Sequence, residues 1–334
     1  MHYLSIRYLQ PQMALAKPII DEKGNVLLNS QTRLTEAMLK RLTDMGFQGA
    51  YIDTPLFSEV EVDDIIDNDL RTRAFKAIYS WNIPIAVQVA KQIVNNLKYK
   101  DVLKLDLLDI KNDKNYIYKH SISVCIFSVV LGMALGLSEE QLENLAIAGL
   151  LHDIGMTELK KKVVNSKNRF TTSDMDEMRK HPMFGFELLK DQPLVASVSR
   201  NAILFHHENL NGTGYYEASG EQIGLFPRIL RVVDVYDSLI TLKKYREEQS
   251  PAQAIEYLMA NVGSIFDKEI VEAFVKKFPM YPVGFTYRLS NGEAAVVLSN
   301  EGNAMRPKVK LFKGNVVDLA TDPAYRSVLI QDMM

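Results

Sequence analysis

The sequence predicts a mainly α fold: a helical bundle core with a small α/β module at its N-terminal end and a β-rich module at its C-terminal end. Three observations carry this prediction. Apolar residues recur at the helical period from Leu70 to about Pro279, short runs rich in Ile, Val and Leu bounded by turn residues precede that stretch, and hairpin signals follow it. At 334 residues, and roughly 150 residues per domain, the chain suggests two domains with a small appendage. A composition of 47% hydrophobic and 24% charged residues excludes disorder for the bulk of it.

Residues 1–55 read as a small mixed α/β accessory module. Asp21-Glu22-Lys23-Gly24-Asn25 is a turn cluster between β-prone runs and predicts a hairpin. Thr35 caps a helix carrying Met38, Leu39 and Leu42, Gly46 ends it, and a strand Ala50-Tyr51-Ile52 follows. Residues 56–104 read as an acidic linker and connecting helices, with Glu59, Glu61, Asp63, Asp64, Asp67 and Asp69 as a solvated run without assigned function. In residues 105–278, Ser138 to Gln141 and Ser250 to Gln253 fit capping boxes, the second with Pro251 at the first helical position. Leu142, Leu145, Ala146, Gly149 and Leu150 form one apolar stripe. The most apolar run, Ile122 to Leu137, is 16 residues with two serines, short of the roughly 20 a membrane span needs. It reads as a buried helix. In residues 279–334, Ser290-Asn291-Gly292-Glu293 joins two β-prone runs, and Lys313-Gly314-Asn315 joins two more.

Composition narrows the function. Lys and Arg (39) nearly cancel Asp and Glu (41), so a generally basic binder of nucleic acid polymers is not expected. The single cysteine, Cys125, excludes an intramolecular disulfide framework and a cysteine-based zinc finger. The opening residues lack the pattern of a signal peptide, so the expected location is the cytoplasm, with no membrane partner.

Five of the six histidines, His120, His152, His181, His206 and His207, fall between residues 120 and 207. His152-Asp153 ends an apolar helix, and the His206-His207 pair follows an apolar run, where imidazoles without a task are uncommon. Imidazoles and carboxylates without cysteine suit metals such as Fe, Mn, Co or Zn. Adjacent helical residues point about 100° apart. His152 and Asp153 would therefore straddle a ridge, letting the carboxylate bridge two metals while the imidazole binds one. Asp234, in the apolar run Ile229 to Tyr236, is the candidate second carboxylate; a buried Asp paired with an arginine fits equally.

The series His120, His152-Asp153-Ile154-Gly155, His181-Pro182, His206-His207-Glu208, Asn211-Gly212-Thr213-Gly214-Tyr215 and Asp234-Val235-Tyr236-Asp237 resembles an HD-GYP domain. That family belongs to the HD-domain metallophosphohydrolases, and the HD-GYP members degrade the bacterial second messenger cyclic di-GMP. The resemblance covers roughly residues 105–278 and implies an HD-type bundle. It implies one metal on His120, His152, Asp153 and Asp234, and a second on Asp153, His181, His206 and His207, with Asp153 bridging and catalytic. Tyr116 stands where members with a third metal have glutamate, so two divalent ions are implied, Fe or Mn first, with Zn, Ni or Co also suited. The implied reaction opens cyclic di-GMP to pGpG, and possible further product GMP, by attack of a metal-bridging hydroxide. Lys243, Arg246 and Tyr215 would meet the substrate, and Asn211, Gly212 and Gly214 would form the motif loop. The end modules resemble, more weakly, domains that accompany this family. A homodimer or a signalling-protein partner is the further expectation.

The chain departs from the family pattern at three places. Met156 replaces a lysine that helps hold phosphate, Tyr216 replaces the proline of the loop motif, and Lys243-Lys244-Tyr245-Arg246 replaces Arg-Pro-Tyr-Arg. Lys243 and Arg246 keep the charges, but also fit a solvated helix end. Lys160 to Lys162 and Lys167 to Arg169 could compensate, or form a surface loop. Glu208 reads either as an orienter of the ligands or as a solvent-facing glutamate. Two alternatives to the phosphodiesterase stand beside it: a weakly active or inactive cyclic-dinucleotide-binding module, and a hydrolase for a related dinucleotide such as cyclic GMP-AMP.

Overall fold

The structure is a computed structural model of the 334-residue chain and describes all residues except 22–24, 63, 65, 99–115, 161–169, 242–248, 302 and 304. Its centre is a helix that is apolar on every side, α4 (Tyr116–Ala134), which a chain in water can form only by surrounding it. Among the described residues it is the one helix long and apolar enough to cross a membrane, and 78% of that window is buried inside the protein.

The helices around α4 begin where local chemistry starts them. Asp67 accepts from the Leu70 amide at 2.7 Å and opens α2 (Asn68–Tyr79), and Asn82 opens α3 (Ile83–Leu97) in the same way. Ser138 and Gln141 form a capping box at α5 (Glu139–Leu151). Then come α6 (Thr172–Met178), α7 (His181–Leu189), α8 (Ser197–Phe205) and α9 (Leu225–Leu239). A second box, Ser250 with Gln253, opens α10 (Pro251–Ala260), and α11 (Lys268–Lys277) follows. One core unites all of them but α6, whose Met178 belongs to a separate small cluster. The shared core includes Leu70, Phe75 and Ile78 of α2 and Val87, Ile93 and Leu97 of α3, so the helices before residue 99 are built into the bundle rather than leading to it.

The N-terminal segment forms an antiparallel three-stranded sheet of β1 (His2–Ser5), β5 (Gly49–Asp53) and β2 (Ala14–Leu15). A two-stranded hairpin, β3 (Ile19–Ile20) with β4 (Val26–Leu28), and helix α1 (Glu36–Asp44), capped by Thr35, complete it. The C-terminal segment is a five-stranded sheet in the order β10-β6-β7-β8-β9, made of β6 (Thr286–Leu289), β7 (Ala294–Ser299), β8 (Lys308–Leu311), β9 (Val316–Asp318) and β10 (Ile330–Met333).

These two ends are one body. Tyr3, Tyr51, Phe57 and Val60 share a core with Phe285, Tyr287 and Val296. Tyr3 stacks on Phe285 at 4.5 Å, and its amide donates to the Gly284 carbonyl at 2.7 Å. Tyr281 packs against both this core and that of the bundle. Small sheets that each bury too little apolar surface alone gain a common interior by pairing. Part of the acidic run serves this arrangement, because Glu59 pairs with Lys310 and Asp64 with Lys17.

Candidate metal centre

The clustered histidines and carboxylates come together from several helices, most of these residues from helix ends and their flanking turns. Within α4, His120 is 3% exposed; His152 is the C-cap of α5, and Asp153 begins the 3-10 turn Ile154–Glu158. His181 opens α7, His206 caps the end of α8 with His207 next to it, and Asp234 lies in α9. Gly155 makes the convergence possible. A Cβ there would lie 2.0 Å from the His181 carbonyl oxygen and 2.4 Å from the Gly185 nitrogen, so only glycine lets this turn rest on α7.

Three imidazoles are oriented by the same device. The Nδ1 atoms of His152, His181 and His206 lie 2.8, 2.8 and 2.6 Å from the carbonyl oxygens of Gly149, Met178 and Ile203, each three residues back. A carbonyl only accepts, so each Nδ1 carries the proton and each Nε2 presents its lone pair inward. Asp153 reaches both sides: Oδ2 is 3.3 Å from His152 Nε2, and Oδ1 is 3.4 Å from His181 Nε2. Asp234 Oδ1 is 3.0 Å from His120 Nε2, and its Oδ2 is 3.8 Å from His207 Nδ1. Three overlapping groups have ligand atoms within 4.8 Å of one another: His120 with His152 and Asp234, His152 with Asp153 and His206, and His181 with His206 and His207. His152 Nε2 is buried without a hydrogen-bond partner, which fits a donor set made for a cation.

The electrostatics agree. Burial works to raise the carboxyl of Asp153, but His152, His181 and His120 hold it well below the usual range. Burial, with repulsion from His152 and His181, pushes His206 down to about 3, leaving a neutral ring. His120 goes the other way. Burial would lower it, yet hydrogen bonds to Asp234 and Asp237 outweigh that and raise it to about 9. A cation taken up beside Asp234 would displace the Nε2 proton of His120.

Residues 106–270 match the HD domain family. The chain is 35% identical over 210 residues to the cyclic di-GMP phosphodiesterase PA4108 of Pseudomonas aeruginosa, covering 62% of this chain and 50% of that protein. It is 36% identical over 144 residues to the cyclic di-GMP phosphodiesterase response regulator RpfG of Xanthomonas campestris, covering 42% of this chain and 38% of that protein. The chain thus spans half or less of the length of these relatives. A third relative, 24% identical over 61% of this chain and 40% of its own length, is the 3'3'-cGAMP-specific phosphodiesterase 2 of Vibrio cholerae. Among solved structures, Bd1817, an HDG"Y"P protein from Bdellovibrio bacteriovorus, shares the fold with a TM-score of 0.54 at 18% identity, covering 82% of this chain and 98% of that one.

Residues 106–270 of the chain are an HD domain of the HD-GYP type.

Within this HD-GYP domain the motif loop is held from below. Glu208, 2% exposed, is no solvent-facing glutamate. Its Oε1 accepts from the amides of Tyr215 and Tyr216 at 2.8 Å each, and its Oε2 accepts from Ala218 at 2.9 Å. At Gly214 a Cβ would lie 2.6 Å from Glu208 Cα, which accounts for glycine there. Asn211 Oδ1 accepts from the Thr213 amide, and Gly212 takes a φ of +76°. So supported, Tyr215 lays its ring 4.5 Å from that of His207.

Met156 packs with Leu159, Phe170, Met178 and Phe184 in a small apolar cluster. Lys243 and Arg246 lie outside the described residues, as do Lys161, Lys162, Lys167 and Arg169. Asp234 meets His120 and also has Arg231 Nη1 at 4.0 Å, so its two sequence readings coexist. The sequence reading missed one residue. Asp237, fully buried, places Oδ2 2.7 Å from His120 Nδ1. Its signal was present: it lies three residues after Asp234 in an apolar helix, hence on the same face.

Proposed function

We propose that this chain is a metal-dependent phosphodiesterase that opens cyclic di-GMP to pGpG. One observation carries the reading: His120, His152, Asp153, His181, His206, His207 and Asp234, buried or half-buried, form three overlapping groups whose ligand atoms lie within 4.8 Å of one another. The names of the relatives supply the substrate class. In this reading those seven residues would hold two divalent ions, Fe or Mn by ligand chemistry, with Asp153 as the ligand common to both. Residues 105–278 are the catalytic domain, and the joined end modules are its accessory body.

When bound, two such ions lower the pKa of a water toward neutrality and offset the charge that builds on phosphorus. The chain does the rest. The i−3 carbonyls fix three imidazole tautomers before any ligand arrives, so no reorganisation is needed there. Asp237 holds the His120 ring through Nδ1. Tyr215, like any phenol, keeps its hydroxyl proton at neutral pH, and burial, with Asp234 nearby, raises its pKa further, to about 12. It can donate to a substrate oxygen at the edge of the centre.

The test is direct. Protein loaded with Mn and incubated with cyclic di-GMP should yield pGpG, and Asp153→Ala should lose both the ions and the activity. Metal-free protein after supply of Fe, Mn and Zn would overturn the two-ion centre. Because one relative is named for 3'3'-cGAMP, that dinucleotide belongs in the same assay, and faster cleavage of it would transfer the reading to the mixed substrate.

A further inference from the structure

A cyclic dinucleotide has two phosphates, and a single buried centre attacks one of them. We propose that Arg179 binds the other, non-reacting phosphate; this rests on the phosphodiesterase reading above.

Arg179 lies between α6 and α7, two residues before His181. Its side chain is exposed, and its guanidinium carbon lies 5.7 Å from the centre of the Tyr215 ring, which itself meets the rings of His207 at 4.5 Å and His181 at 6.3 Å. The cation therefore stands two ring contacts from the centre, on its rim. Among the described residues it has no carboxylate partner. Its neighbours are committed: Arg231 Nε donates to Asn209 Oδ1 at 3.0 Å with Nη1 4.0 Å from Asp234, and Lys180 pairs with Glu177 at 2.8 Å.

The backbone under Arg179 is pinned as well. The Tyr216 hydroxyl donates to the Arg179 carbonyl at 3.2 Å and accepts from the Met183 amide at 3.2 Å. Tyr216 thus ties the motif loop to the start of α7 and carries Arg179 with it. Position 156 cannot supply a cation, because Met156 is neutral and built into an apolar cluster. A guanidinium lying over an aromatic ring keeps its donor edge free, and that fork matches two phosphate oxygens. The positive charge of this site is thereby shifted from the turn after Asp153 to the segment before His181.

A contact to a phosphate that does not react stabilises ground and transition states alike, so it lowers KM without raising kcat. In metal-loaded protein, Arg179→Ala should raise Kd and KM for cyclic di-GMP about tenfold, with kcat within about twofold. Arg179→Lys, which keeps the charge without the fork, should fall between. Bis(p-nitrophenyl) phosphate has a single phosphodiester, and its kcat/KM should not change. Equal dinucleotide Kd and KM in Arg179→Ala would overturn this assignment and leave the phosphodiesterase reading intact. Equal losses on the dinucleotide and the nitrophenyl ester would also overturn it, since Arg179 would then serve the centre itself. A wild-type protein that neither binds nor cleaves cyclic di-GMP or 3'3'-cGAMP would overturn both.

Discussion

Replacing Glu208 with glutamine tests whether one buried carboxylate holds the loop that carries Tyr215. The two residues have nearly the same volume, so packing is conserved and only the hydrogen bonds change. In the native protein the carboxylate accepts from three amides, Tyr215 and Tyr216 on Oε1 and Ala218 on Oε2. Glutamine has one oxygen. If it faces Tyr215 and Tyr216, the side-chain NH2 meets the Ala218 amide donor to donor; if it turns, two amides lose their acceptor. An unpaired buried donor costs about 1–3 kcal/mol, and the remaining bonds weaken once the acceptor is neutral. The loop should therefore lose about 2–4 kcal/mol of local stability, which raises its opening equilibrium between about 30-fold and 1000-fold. Amide hydrogen exchange reads this residue by residue: Tyr215, Tyr216 and Ala218 should exchange faster by that factor, while amides in the core of α4 do not. Unchanged exchange at the three amides would refute the clamp.

Asp237→Asn leaves an oxygen for His120 Nδ1 but removes the charge that fixes the ring, so metal affinity measured by chelator competition should fall about 10–100-fold. An affinity within about twofold of wild type would remove that role. Gly155→Ala places a methyl 2.0 Å from the His181 carbonyl, backbone against backbone. Such overpacking costs about 1–3 kcal/mol or more; the melting temperature should drop by several degrees and bound metal should decline, whereas an unshifted melt would show that the turn can move freely. His2 concerns the joined ends: buried, with Nδ1 2.8 Å from Thr286 Oγ1, it is pushed down by burial to about 4. Its folded pKa lies below the unfolded value, so its contribution is complete above about pH 6.5 and is lost as pH falls toward 4, by up to about 3 kcal/mol. The difference in unfolding free energy between wild type and His2→Gln should shrink over that interval and be flat above it; a constant difference contradicts the assignment.

Much of the protein was legible in the chain because its determinants are local. Helix starts at Thr35, Ser138 and Ser250 are set by a side chain and an amide three residues apart, and the turn Ser290 to Glu293 needs only its own residues. Residue types with metal chemistry also announce themselves, since imidazoles after apolar runs are costly without a task. Fold class and the histidine cluster followed from these short-range signals, whereas the full ligand set came only with the resemblance to a known family.

Tertiary structure decided what depends on direction and long-range packing. A sequence separates His2 from Thr286 by 284 positions, and only the shared core of the two ends brings them together. Glu208 read as ligand orienter or surface residue, because the choice turns on where a loop ten residues long returns its amides. Asp237 and Asp234 share a helix face, yet which nitrogen of His120 each meets depends on the angle between α4 and α9. Met156 and Arg179 make the same point in charge: sequence shows which position lacks a lysine, but only packing shows that an arginine from another segment stands over Tyr215. Patterns along a chain specify which groups are available and on what surface; the packing of one element against another specifies which of them meet.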